Sequence, residues 1–177
     1  MNVYNLALII GAAALVTEAS RKTKDPMMLS KNFSLKEFFK KGDYEKGIPP
    51  EVLMAVKDLV DNVLQPARDK LGMPIRVNSA YRTPEYNASI GGVANSQHIY
   101  GQAVDIAPIP ATLENYKKLW DVLKTGPFDQ IIWERALAFT GLPSHLHVSY
   151  VEMPGAGGYT HNRGKKLQLY NGVYSYI

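Results

Sequence analysis

The segment Ser-Gln-His-Ile-Tyr-Gly-Gln-Ala-Val-Asp, residues 96–105, places a histidine and an aspartate seven positions apart. Some forty residues later, the segment His-Leu-His at 145–147 adds two more of the chain's four histidines. A hydrolytic zinc site takes three protein ligands from His, Asp or Glu and keeps a fourth position for water. Because the chain has no cysteine, a thiolate zinc site is excluded. The two segments therefore predict a zinc site with nitrogen and oxygen ligands.

Both segments also carry the alternation that is typical of β-strands. Polar and apolar residues alternate over 145–150, so the two histidines of this segment are expected on one face of a strand. As a second short strand, residues 102–107 would have Gln102, Val104 and Ile106 on one face and Ala103, Asp105 and Ala107 on the other, with Asp105 at the centre. Gly101 allows close approach of the backbone to the site. A His-x-His pair alone is more often a surface pair, but together with residues 96–105 it favours a metal site.

At these residues the sequence resembles the M15 zinc peptidases, also called D-alanyl-D-alanine carboxypeptidase or VanX-like metallopeptidases. Every defined position of their signature S-x-H-x-x-G-x-A-x-D is present in residues 96–105. The preceding run SAYRTPEYN, residues 79–87, is similar to the family's SGYR(S/T)PEYN. The resemblance covers residues 29–152 and is nearest to the short branch that phages or prophages often encode. It implies a hedgehog/DD-peptidase-like fold.

Carried over position by position, the resemblance implies that His98, Asp105 and His147 bind Zn²⁺. Ser96 and Arg82 are then expected beside the metal, where they would hold a carboxylate or carbonyl oxygen of the substrate.

The sequence departs from the family at the position that usually carries the general base. Many relatives have Glu or Asp three residues before the last ligand, and this chain has Ser144 there. His145 and Glu134 are the candidates for the proton-transfer role, and Asp129 is a further carboxylate to be considered.

The resemblance implies a zinc peptidase that cleaves peptidoglycan stem peptides, as a D-alanyl-D-alanine carboxypeptidase or as an endopeptidase. Two alternatives stay open. One is a non-hydrolytic zinc-binding module, and the other is a structural protein of a phage particle or envelope complex. The expected location is the bacterial cell envelope or periplasm, or a phage particle.

Length and composition favour one catalytic domain. A chain of 177 residues with 46% hydrophobic residues can bury one sizeable core. Apolar positions at helical spacing predict a helix over 49–71, which Pro66 kinks or ends, and another over 113–123. Strands are predicted over 75–80, 128–134 and 145–151. The expected fold is α+β, with a small antiparallel sheet that carries the zinc ligands and is flanked by helices.

The two ends lie outside the predicted domain of residues 29–152. Residues 1–28 contain an apolar run of eleven residues and a basic linker. The run is too short for a comfortable membrane span of about 20 residues, which leaves a signal, an anchor to a membrane or particle, or a docking helix. Residues 153–177 are expected to form a Gly-rich loop and a terminal strand. The net charge of +4 is modest, nothing resembles a nucleic-acid module, and a monomeric catalytic domain is expected.

Overall fold

This computed structural model contains, among the residues it describes, four α-helices, a 3₁₀ helix (Leu35–Glu37), a π-helical segment and six strands. It describes residues 27–40, 43, 47–134, 141–152 and 161–177. The helices are α1 (Pro50–Leu59), α2 (Gln65–Leu71), α3 (Pro84–Ser89) and α4 (Leu113–Leu123). The strands are β1 (Ile75–Ser79), β2 (Ala103–Pro108), β3 (Gln130–Glu134), β4 (His145–Ser149), β5 (Lys165–Tyr170) and β6 (Val173–Tyr176).

The apolar run near the N-terminus lies outside the described residues. Within the described ranges, no helix is both long and apolar enough to cross a membrane.

A wide helical turn joins α1 to α2. Proline cannot donate a backbone hydrogen bond, and its ring clashes with the carbonyl four residues earlier. A π-helical segment, Val60–Leu64, stands immediately before the turn that contains Pro66 and widens the helix there. The helical path therefore continues past Pro66 and ends at Gly72, whose φ of 68° is left-handed.

The six strands form a single sheet in the order β1-β2-β4-β3-β5-β6. All neighbouring strands are antiparallel except β3 and β5, which are parallel. The predicted α+β class is confirmed, and the sheet is mixed because the chain beyond residue 160 adds a parallel strand.

One face of the sheet is apolar and packs on the helices. Its buried residues belong to the same hydrophobic cluster as those of α1, α2 and α4. At the centre of this layer, the rings of Tyr116 and Trp120 from α4 meet Trp133 of β3 edge-on, with centroids 6.2 and 5.8 Å away. The sheet contributes Val104, Ile106, Ile131, Trp133, Leu146 and Val148.

The opposite face carries the polar residues. Directly paired residues on neighbouring strands share a face. Asp105 of β2 pairs with His147 of β4, and His145 of β4 pairs with Glu134 of β3. The period-2 pattern that predicted one face for the two histidines is confirmed.

The C-terminal segment differs from the single terminal strand that was expected. It forms a hairpin, β5 and β6, joined at Asn171 and Gly172 with φ of 48° and 77°. Two successive positive φ values suit a type I′ turn, for which Asn-Gly is the favoured sequence. The dipeptide was therefore a usable hairpin signal in the sequence.

Candidate metal centre

Three side chains on the polar face of the sheet converge on one point. Nε2 of His98 lies 3.3 Å from Nδ1 of His147 and 3.3 Å from Oδ1 of Asp105. Nδ1 of His147 lies 3.1 Å from the same carboxylate oxygen. Donors bound tetrahedrally to Zn²⁺ at about 2.0–2.1 Å lie about 3.3 Å from one another. The two nitrogens and the oxygen therefore fit the first coordination shell of zinc.

A backbone contact fixes the tautomer of His98. Its Nδ1 lies 2.7 Å from the carbonyl oxygen of Ala80. Because a carbonyl only accepts, Nδ1 carries the proton and donates it, which leaves the lone pair of Nε2 directed at the other two donors. This outer contact is the kind that orients metal-binding histidines.

Gly101 holds the loop of His98 against helix α1. Its φ is 69°, and a Cβ at this position would lie 2.7 Å from the carbonyl oxygen of Val52. A side chain would thus be strained by the backbone conformation and would also clash with α1. The glycine of the sequence motif is explained by this close approach.

Asp105 is buried and has partners for both carboxylate oxygens. Burial opposes its ionisation, but hydrogen bonds and charge from His147 and His98 outweigh burial and hold the pKa of Asp105 well below its usual range. Its second oxygen, Oδ2, accepts from Nη2 of Arg82 at 2.5 Å. Arg82 also donates from Nε to Oγ of Ser79 at 3.1 Å. The carboxylate is therefore held as an anion in one orientation.

His145 and Glu134 stand beside the three converging donors. Nε2 of His145 lies 3.6 Å from Oδ1 of Asp105, and its Nδ1 lies 3.0 Å from Oγ of Ser144. Glu134 is directly opposite His145 in the pairing of β3 with β4, and only 8% of it is exposed. The antiparallel pairing on which the prediction for Glu134 depended is present.

An open cleft of about 450 Å³ lies over this cluster. Its lining includes the three converging side chains together with Arg82 and Ser96, as well as Glu134 and His145. The structure thus brings together seven of the eight residues that the sequence singled out for metal binding, substrate binding and proton transfer, and Asp129 is the one that does not line the cleft.

Residues 31–149, about two thirds of the chain, match the sequence profile of the family described as Peptidase M15. The chain belongs to the M15 peptidase family. This membership and the His/Asp cluster agree with the predicted zinc cofactor.

The similarity of this chain to a curated protein is consistent with the family assignment. The M15 chain is 31% identical over 87 residues to a zinc D-Ala-D-Ala carboxypeptidase of Streptomyces albus G. The aligned region is 49% of this chain and 32% of that protein. The M15 chain thus spans about a third of the length of the relative, which contains much that has no counterpart in the alignment.

Asp129 has a different environment from the one expected of a general base in this M15 domain. It is fully buried, and Arg163 donates to it from its backbone N at 2.9 Å and from Nε at 2.8 Å. Nε2 of Gln97 donates to the other carboxylate oxygen at 3.0 Å. Asp129 therefore joins the chain after residue 160 to the loop that carries His98. The suggestion that it takes a proton is not supported by this placement.

We predict that Asp129→Asn destabilises the protein at neutral pH by about 3 kcal/mol, because it leaves a partly buried arginine without its anion. Burial raises the pKa of Asp129, but the bonds from Arg163 outweigh burial and lower it. The stabilisation is thus complete above the unfolded-state pKa of about 3.9 and is lost as pH falls through the lower folded-state pKa.

Urea unfolding of wild type and variant from pH 7 down to pH 2 measures this difference. The gap between the two proteins should narrow below about pH 4. The matched control is Asp121→Asn, which removes an exposed ion pair with Lys124 and should change stability by less than about 1 kcal/mol. A gap that stays constant with pH would contradict the assigned charge interaction.

Sequence reasoning missed Gln97, Arg163, Leu169 and Tyr174. The first two hold the network of Asp129, and the last two line the cleft. Only the Asn-Gly turn gave a local signal, because it predicts the hairpin that brings Leu169 and Tyr174 together.

Proposed function

We propose that this M15 chain is a zinc peptidase that hydrolyses stem peptides of bacterial peptidoglycan. The observation that supports this most is the set of three donors, 3.1–3.3 Å from one another, at the floor of an open cleft. His98, Asp105 and His147 are the proposed ligands. Because the substrate is a cell-wall polymer, the proposed place of action is outside the cytoplasm.

The neighbouring side chains divide the remaining tasks. Zinc in such a site lowers the pKa of its water to about 7 and polarises the scissile carbonyl. Arg82 orients Asp105 and faces the cleft, so its guanidinium can meet the negative charge that develops on the carbonyl oxygen. His145 and Glu134 are the proposed proton acceptors. Ser96 is proposed to bind a carboxylate or carbonyl oxygen of the substrate.

Digestion of purified muropeptides, with the products weighed by mass spectrometry, tests this function. Loss of one terminal D-alanine would identify a carboxypeptidase, and separation of cross-linked stems would identify an endopeptidase. A zinc-loaded wild-type protein that binds stem peptides but cleaves none would instead be a non-hydrolytic binding module. The His98→Ala protein is the negative control, since it lacks a proposed ligand.

We predict that Arg82→Ala lowers both zinc affinity and turnover. Loss of a contact that orients a metal ligand typically costs about 10–100-fold in affinity. Loss of an oxyanion donor costs about 10²–10³-fold in kcat, and this part should persist at saturating zinc. Arg82→Lys should recover only part, because lysine has no planar fork to contact Asp105 and Ser79 together.

Zinc titration followed by turnover at saturating zinc separates these two effects. Arg76→Ala is the matched control, because Arg76 is exposed on β1 and its side chain donates to the nearby Asn78 at 2.8 Å. Wild-type turnover by Arg82→Ala at saturating zinc would show that the guanidinium has no part in the reaction beyond orienting Asp105.

A further inference from the structure

The cleft has a wall that lies outside the matched family region. That region ends at residue 149, whereas β5 and β6 begin at residue 165. We propose that Leu169 and Tyr174 of this hairpin bind the uncharged peptide segment beside the scissile bond and so determine which stem peptides are accepted. This inference rests on the proposed peptidase function and assigns a substrate-binding wall to it.

The strand register places both residues on the face of the metal site. Glu134 of β3 pairs with Leu169 of β5, and Leu169 pairs with Tyr174 of β6. His145, Glu134, Leu169 and Tyr174 therefore form one row across four strands, and all four line the cleft. A substrate with its scissile carbonyl at the metal would have this row alongside it.

The wall is firmly attached to the domain. Strand β5 pairs with β3 over five residues, and Leu167 of β5 is buried. Just before β5, Arg163 is bound by the buried carboxylate of Asp129, which also accepts from Gln97 next to His98. The hairpin and the loop of His98 are thus held by the same anion, so the wall keeps a defined position relative to the metal site.

The chemistry of the wall selects an uncharged partner. Leu169 offers an aliphatic surface, and Tyr174, which is 56% exposed, offers a ring with a hydroxyl group. Glu134 stands next to Leu169 in the same row, and burial, followed by the charges of Glu134 and Asp105, raises the pKa of Tyr174. An anionic group would be repelled here, whereas an amide with a small aliphatic side chain would not.

A second segment of the chain also brings apolar side chains to the cleft. Ile90 and Val93 line the cleft and are 50% and 67% exposed. The side chain of Asn87, only 1% exposed, donates to the carbonyl oxygen of Val93 at 2.9 Å and holds this segment in place. A peptide in the cleft would therefore have apolar side chains available from this segment as well as from the hairpin.

The test compares Tyr174→Ala and Leu169→Ala with Tyr170→Ala. Tyr170 belongs to the same hairpin but lies on the other face, and it is 40% exposed. Steady-state kinetics on stem peptides, zinc content and melting temperature are measured for each protein. We expect kcat/KM to fall about 10-fold or more in the two wall variants, mainly through KM, because contacts made equally before and during the reaction act on KM. The control and the zinc content should be unchanged.

Tyr174→Phe separates the hydroxyl from the ring. Retention of most of the activity assigns the effect to the ring, and loss equal to that of Tyr174→Ala assigns it to the hydroxyl group. Both results support the wall. Equal kinetics for Tyr174→Ala, Leu169→Ala and Tyr170→Ala would overturn it. A fall in kcat/KM that is explained by a lower zinc content of the wall variants would overturn it as well.

Calorimetry measures how tightly each zinc-loaded protein binds the stem peptide. This measurement distinguishes failure of the peptidase function from failure of the proposed wall. If the wild type cleaves no peptide, the peptidase function fails, but weaker peptide binding by Tyr174→Ala than by Tyr170→Ala still supports the wall. Equal binding by these two variants overturns the wall even if the wild type is active. A wild type that neither cleaves nor binds the peptide overturns both.

Discussion

Replacing Asp105 by asparagine is expected to remove most of the zinc from the protein and to leave its helices folded. The carboxylate is the only anion among the three proposed ligands, and its Oδ1 lies 3.1–3.6 Å from nitrogens of His98, His145 and His147. Replacing a residue that contacts a metal ligand typically lowers metal affinity about 10–100-fold. Replacing the ligand itself should lower zinc affinity by more. Turnover should fall in parallel.

Elemental analysis after dialysis against a chelator, with far-ultraviolet circular dichroism for helix content, measures this effect. The matched control is Asp121→Asn, an exposed position on α4 that is remote from the cleft. His147→Ala should lose zinc in the same assay, since it removes another proposed ligand. A fully loaded Asp105→Asn or His147→Ala protein would contradict the proposed ligand set.

The site was predictable because Asp105, His145 and His147 lie on short strands with a clear pattern and His98 lies in a loop with a recognisable motif. The alternation over 145–150 fixed one face for His145 and His147 before any pairing was known. The motif of residues 96–105 placed His98 and Asp105 on either side of a glycine that must approach α1 closely. In these two segments, local sequence and final geometry agree, and the expected residues converge.

What the sequence left open depends on pairing between distant parts of the chain. Asp129 was a plausible base from its position before β3, but 34 residues separate it from Arg163, which binds it. The alternation in β5 predicts a strand but not its neighbour, and the parallel pairing with β3 is what brings Tyr174 to the cleft. Likewise, Arg82 donates to Asp105, a proposed ligand 23 positions away.

The largest remaining effect expected is that of the general base. The sequence resemblance to M15 peptidases puts Ser144 where an acid is expected, and its hydroxyl oxygen lies 3.0 Å from Nδ1 of His145. This contact orients the imidazole so that Nε2 faces the site, 3.6 Å from Asp105. Glu134 is the nearest alternative, because it pairs with His145 across the strands and lines the same cleft.

We predict that His145→Ala lowers kcat by about 10²–10⁴-fold with zinc retained, which is the usual contribution of a positioned general base.

Glu134→Gln should lower kcat less than His145→Ala if Glu134 only stabilises the charged imidazole, and more if Glu134 takes the proton itself. Measurement of kcat at saturating zinc for both single variants and the double variant decides between them. Effects that do not add would indicate one shared proton-transfer unit. The comparison variant is Ser144→Ala, which keeps both candidates and removes the contacts of the Ser144 hydroxyl with His145 and with the carbonyl oxygen of Glu134, so its loss of kcat should be smaller than that of His145→Ala. Wild-type kcat in both His145→Ala and Glu134→Gln, each with zinc bound, would exclude both residues from proton transfer.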